Sequence, residues 1–187
     1  MTVQRQKQFK LIAFLLQYPD DALMRSLPEI SEAITAIDDP RTRGILQRFS
    51  AWLQNTPLIE LQEQYTASFD MAPDTCLNLT YHLLGDDAER GRALSALQQV
   101  YDRAGYGAAV PELPDYLPMV LEFLAIHPDA ANADRLWSCL GAVHTIAQRL
   151  RASGSVYALL MDHLDSMSLQ ATDHRPPGAF IQDDAGP

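Results

Sequence analysis

Asp115 and Glu122 stand seven positions apart in a stretch of helical periodicity. Seven residues advance about 10.5 Å along a helix axis and return nearly to the same face. Two carboxyl groups so placed divide acid and base roles only where an apolar setting drives their pKa values apart. The surrounding residues do not supply one. Leu117, Val120, Leu121 and Leu124 occupy the opposite face and read as core, which leaves the acids toward water. Two readings stay open. Asp115 caps the helix while Glu122 is solvated, or the pair forms an acidic rail that accepts Arg or Lys side chains from a docked peptide. Neither reading makes them catalytic.

The other reactive residues are scattered. The five histidines, at 82, 127, 144, 163 and 174, form no HExxH and no i,i+4 pair, and Cys76 and Cys139 belong to no CxxC. No metal site is expected from such spacing. GxSxG, the P-loop and GxGxxG are all absent, so no nucleophile elbow or phosphate cradle is expected. Both cysteines lie in apolar helical patterns and read as buried free thiols. Tyr101, Tyr106 and Tyr116 cluster around a proline-containing loop. There they are either half-buried core or rigid plates for recognition.

Charge narrows the partners. The 187 residues carry 24 acidic and 14 basic side chains, a formal net charge of −10. That balance repels a phosphate backbone and an anionic lipid surface, which argues against nucleic acid and stable membrane association. It favours encounter with basic peptides. Arg5, Lys7 and Lys10 precede a short apolar run, Leu11 to Leu16, that stops at Gln17-Tyr18-Pro19-Asp20. The run is too short for a secretory signal or a membrane span, so a cytoplasmic location is expected.

The elements that must hold these residues read as helices almost throughout. Helices are expected over Gln6 to Gln17, over Ala22 to Ile37 with an interruption where Pro28 opens a new helix, over Arg41 to Gln54, and from Thr56-Pro57 to about Phe69. Further ones follow over Thr75 to Leu84 with Gly85 as its C-cap, and from an Asp86 cap to Gly105. The remainder run from an Asp115 cap to about His127, from Asn132 or Asp134 to about Ala152, and from Ser155 to Met167. The predicted fold is all-α: a single irregular bundle of about nine or ten helices over residues 1–167, with no hairpin and no internal repeat. The Gly107 to Pro114 loop is a candidate hinge, and residues 168–187, with Pro176-Pro177-Gly178, read as a flexible tail.

Four motifs in order carry a family resemblance. They are Glu63-Gln64-Tyr65-Thr66-Ala67-Ser68-Phe69-Asp70, then Leu77 to Asp86 (LNLTYHLLGD), then Glu89-Arg90-Gly91-Arg92-Ala93-Leu94, then Glu112 to Leu124 (ELPDYLPMVLEFL). With the Tyr18-Pro19-Asp20 turn, they resemble the NarJ-type nitrate reductase molybdenum cofactor assembly chaperones of the wider TorD-like family, across residues 6 to 165. The resemblance implies an all-helical, non-catalytic chaperone. Its partner would be the catalytic subunit of a respiratory nitrate reductase, bound chiefly through that subunit's N-terminal peptide. The apoenzyme would be held until its molybdopterin guanine dinucleotide is inserted, and its membrane docking delayed. That cofactor belongs to the client, and the chaperone has none of its own.

Residue by residue, the resemblance carries peptide binding onto Glu112, Pro114, Asp115, Tyr116, Pro118 and Glu122. The chain departs from the family pattern at Tyr116, where relatives commonly have His, and at Met71-Ala72-Pro73, where they often carry basic residues. Alternatives stay in view. One is a sister chaperone for a dimethyl sulfoxide or trimethylamine N-oxide reductase; others are a non-catalytic helical adaptor and a carrier of cofactor. A monomer is expected, with dimerisation left open.

Overall fold

The computed structural model describes residues 1–86, 88–107 and 112–172. Among them the chain is all-helical. The first helix, α1, spans Val3–Leu15 and opens at Thr2, whose hydroxyl accepts from the Arg5 amide. Helix α2, Asp21–Thr35, is capped by Asp20, and α3, Pro40–Asn55, by Asp39 with Pro40 in its first turn. In both cases a carboxylate accepts an orphan N–H of the first turn, which is why the Asp-Pro and Pro-Asp pairs mark these boundaries.

Pro28 does not start a helix, contrary to its sequence reading; α2 runs straight through it. A proline inside a helix costs about 3 kcal/mol or more. Leu23, Leu27, Ile30 and Ile34 form one buried stripe on α2, and each contributes about 1.5–3 kcal/mol on full burial. The continuous stripe outweighs the missing hydrogen bond.

Helix α4, Leu58–Tyr65, continues into a π-helical turn at Thr66–Asp70, closed by the Met71 amide on the Thr66 carbonyl at 2.9 Å. A 3-10 turn, Pro73–Thr75, follows, and α5 spans only Leu79–Leu84. The sequence reading began this helix at Thr75. Residues 76–78 are instead outside the helix, and Leu77 and Asn78 pair with another segment described below. Gly85 ends α5 at φ +66°, a left-handed conformation that glycine adopts without penalty.

Helix α6 spans Ala88–Arg103 and α7 spans Leu117–Ile126. The long helix expected up to Ala152 is two: α8, Asp134–Cys139, and α9, Ala142–Ala152. They part where Leu140, Gly141 and Val143 donate to carbonyls three residues back. This tightening brings the Ser138 carbonyl so close to Gly141 that a Cβ there would sit 3.2 Å from it. The last helix, α10, spans Ala158–Thr172 and so passes the tail boundary drawn after Met167. The prolines expected in the tail, Asp87, and residues 108–111 of the Gly107 to Pro114 loop lie outside the described residues.

Helix α7 is the centre of the bundle. Leu117, Val120, Leu121, Phe123 and Leu124 are wholly buried, Pro118, Met119 and Ala125 nearly so. A helix apolar nearly all round belongs inside a bundle. It packs on α1; α3 and α9 lie on α10, α2 on α3, and α5 on both α6 and α9. Tyr157 anchors an aromatic cluster with Phe49, Trp52, Tyr65 and Phe69, at ring separations of 4.8–5.8 Å. No helix among the described residues is long and apolar enough to cross a membrane.

Candidate functional site

Two chain segments far apart in sequence are clasped where α5 and α7 begin. Asn78 and Tyr116 form an isolated antiparallel bridge. The Leu79 amide donates to the Asp115 carbonyl at 3.1 Å and the Leu117 amide to the Leu77 carbonyl at 2.8 Å. The side chain of Asp115, fully buried, completes the clasp. Its Oδ2 accepts from the Thr80 amide at 3.0 Å and the Thr80 hydroxyl at 2.5 Å, and its Oδ1 accepts from Asn78 Nδ2 at 3.2 Å. Arg90 closes the group. Its Nη2 lies 4.0 Å from Asp115, its Nε donates to Thr80 Oγ1 at 3.2 Å, and its guanidinium lies over the Tyr81 ring.

Asp115 therefore caps a helix, but not its own. It serves the second amide of α5, while the N-cap of α7 is Tyr116, whose side chain makes no capping bond. The expectation that Asp115 and Glu122 share one open helix face is corrected here. Asp115 precedes α7 and points inward, because a polar group that satisfies three donors is stable in the interior.

The six sequence candidates divide accordingly. Pro114 and Pro118 are buried, Pro114 with its carbonyl accepting from the Tyr101 hydroxyl at 2.8 Å. Glu122 is exposed and stands beside Tyr106, to which it is hydrogen-bonded. Burial, followed by the Glu122 charge, pushes the Tyr106 phenol up to about 12. Glu112 and Tyr116 alone open together onto a cavity.

That cavity has a volume of about 290 Å³. Tyr18, Tyr65, Phe69 and Tyr116 give it an aromatic wall; Asp70 and Glu112 are its acids; Cys76, Leu77 and Asn78 complete it. The Tyr65 and Tyr116 hydroxyls are 3.1 Å apart, and Tyr65 also donates to the Leu16 carbonyl at 3.2 Å. Tyr18 meets Tyr65 edge-on at 5.4 Å and is 46% exposed. Burial holds both the Tyr65 and Tyr116 phenols above their ordinary pKa. The π turn supplies Phe69 and Asp70, and such turns recur at functional sites. Tyr18, Asp70, Cys76 and Asn78 were not among the sequence candidates. A signal was present for three of them, since Tyr18-Pro19-Asp20, Phe69-Asp70 and Leu77-Asn78 belong to the quoted motifs; Cys76 lies in none.

Cys76 is half-buried rather than buried, with Sγ 3.6 Å from His82 Nε2, and burial raises its thiol pKa. That direction opposes thiolate formation. Cys139 is fully buried. Among the described residues, no three His, Cys, Asp or Glu side chains converge as metal ligands would.

The model of the nitrate reductase delta subunit family matches residues 35–166. The chain belongs to that family. Members similar to it include the probable nitrate reductase molybdenum cofactor assembly chaperone NarJ of Bacillus subtilis (strain 168), 33% identical over 86% of this chain and 87% of that protein. The NarJ chaperone of Escherichia coli (strain K12) is 32% identical over 94% of this chain and 75% of its own length. A solved structure of a putative redox enzyme maturation protein from Archaeoglobus fulgidus superposes with a TM-score of 0.64, covering 87% of this chain and 92% of that one at 20% identity. This delta subunit family member thus shares its all-helical fold with that structure, and the fold expectation is met.

Proposed function

We propose that this member of the delta subunit family is a chaperone that binds the N-terminal segment of a nitrate reductase catalytic subunit. It would hold the apoenzyme in the cytoplasm while the molybdenum cofactor is inserted, and delay membrane docking. The carrying observation is the meeting of motifs. The Tyr65-to-Asp70 and Glu112-to-Tyr116 stretches, separate in sequence, line one open cavity. Its aromatic wall and acidic rim suit a segment that is part apolar and part basic. The names of the relatives, assembly chaperones for nitrate reductase, support the same client.

In this reading Glu112 and Tyr116 touch the peptide. Pro114, Asp115 and Pro118 fix the backbone that presents them, and Glu122 lies outside the contact. A client helix would lay its apolar side along the opening while its cations meet the rim. Ordering of the segment on binding lowers net affinity and permits release once the client is complete.

Calorimetric titration with the N-terminal peptide of the nitrate reductase catalytic subunit tests the reading. Micromolar or tighter binding, weakened by Glu112→Lys but not by Glu122→Lys, supports client and site together. Equal or tighter binding of the corresponding peptide from a dimethyl sulfoxide or trimethylamine N-oxide reductase would reassign the client.

A further inference from the structure

We propose that the 290 Å³ cavity is a receptor for one arginine side chain, its guanidinium held against Tyr18 and Tyr116 and bonded to the carboxylates of Asp70 and Glu112. The inference rests on the peptide-binding reading and names the chemistry of its anchor.

The acids are the first reason. Asp74, Asp115, Asp162 and Asp165 each stand within 4.0 Å of a basic group. Asp70 and Glu112 are exposed and have no ion pair or hydrogen bond among the described residues. Among the described residues, none that lines the cavity is basic. Two unanswered carboxylates beside a recess are an incomplete arrangement that a cation completes.

The aromatic wall is the second and independent reason. Tyr18 is held in a T-shaped contact with Tyr65 yet keeps nearly half its surface open. A planar cation stacks on such a ring. The hydroxyls of Tyr65 and Tyr116 are engaged with each other and with the Leu16 carbonyl, so the wall is fixed before any ligand arrives. The charges of Asp70 and Glu112 are felt at these phenols, raising Tyr116, and that of Asp70 also raises Tyr65. The two carboxylates and the rings therefore share one field.

Arginine fits this setting better than lysine. It offers five donors in a planar fork, stacks on aromatic faces and is more weakly hydrated than an ammonium. The residue that follows each acid in the chain is apolar and exposed: Met71 after Asp70, at 78%, and Leu113 after Glu112, at 44%. A peptide whose arginine meets these acids therefore has exposed apolar side chains next to them for its flanking residues.

The test is a double-mutant cycle with the full chain and the catalytic subunit's N-terminal peptide. Each Arg and Lys of the peptide is replaced in turn by Ala, and each Arg also by Lys. One Arg→Ala change should weaken binding by roughly tenfold or more, Arg→Lys by less, as expected for a charge-assisted pair. In the Asp70→Asn/Glu112→Gln protein the same peptide change should cost about twofold or less, since its partners are gone. Glu32→Lys, an exposed acid on α2, controls for the general negative field.

Peptide binding that is indifferent to every basic residue, or as sensitive to Glu32→Lys as to the cavity variant, overturns the inference and leaves the chaperone reading standing. If the peptide does not bind at all, N-acetyl-arginine amide is titrated by NMR against N-acetyl-norleucine amide. Shifts of the Tyr18 and Tyr116 rings with the arginine probe alone, lost in Asp70→Asn/Glu112→Gln, uphold the receptor while the client reading fails. Identical or absent shifts for both probes overturn the receptor.

Discussion

Glu112 and Asp115 lie three residues apart in one motif and do opposite things. Asp115 is wholly buried and spends its oxygens on Thr80 and Asn78, with Arg90 close by. Glu112 is exposed at the cavity and has no partner among the described residues. The same charge is structural in one place and available in the other. What separates them is whether internal donors already satisfy the carboxylate, since a buried charge persists only when they do. The arrangement also links the two. The clasp that Asp115 completes fixes the backbone next to Tyr116, which forms the cavity wall.

The largest way to break this division is Asp115→Ala. It strands the Thr80 amide and hydroxyl and leaves Arg90 without its carboxylate, and breaking a buried charged group of this kind costs about 3–5 kcal/mol. Urea unfolding should show that loss, with peptide binding falling only as folded protein falls. A stability change within about 0.5 kcal/mol, the ordinary range for surface substitutions, would mean that the clasp does not depend on the carboxylate.

Charge reversal at the open acid is the complementary case. Glu112→Lys should leave the unfolding midpoint nearly unchanged, because an exposed, unpaired side chain contributes little to stability. Its effect should fall on affinity, by roughly tenfold at low salt and less at high salt, because a rim charge is screened. Loss of stability without loss of affinity would reverse the roles assigned to the two acids.

Much of this frame could be read from the sequence, for identifiable reasons. The Gly85 stop and the apolar positions of α7 depend on near neighbours, so local pattern suffices. Pro28 was misread because the stripe that overrides it gains its energy from tertiary burial. Asp115 was misplaced for the same kind of reason: its donors, Thr80 and Asn78, lie some 35 residues away. The cavity joins Tyr18, Asp70 and Glu112, which no helical periodicity relates. Their motifs could be recognised in order, but only folding brings them to one wall.

Tyr116 sits between the two regimes and should show an intermediate effect. Tyr116→Phe removes one side of the hydroxyl contact with Tyr65 while Tyr65 keeps the Leu16 carbonyl. A loss of about 0.5–1.5 kcal/mol of stability is expected, the net worth of an ordinary hydrogen bond. Peptide affinity should change only a fewfold if the ring rather than the hydroxyl meets the ligand. A loss as large as that of Glu112→Lys would make the phenol itself a contact.

Glu122→Gln should have the smallest effect, and it sharpens the comparison most cleanly. Glu122 shares the formal charge and exposure of Glu112, yet its neighbour is Tyr106 and not the cavity. Peptide affinity and its salt dependence should stay at the unmodified values. The visible change should be local. Burial and the Glu122 charge together hold Tyr106 at about 12. Because a negative neighbour disfavours the phenolate, removing that charge should lower the titration midpoint, as followed by ultraviolet difference absorbance. The sign follows for stability as well: a raised phenol pKa stabilises the fold below the ordinary value near 10.0, and that contribution is lost as pH climbs toward 12. Glu122→Gln should therefore flatten the alkaline loss slightly. If it instead weakened peptide binding as Glu112→Lys does, the acidic surface would act as one extended field, and the division between cavity and exterior would not hold.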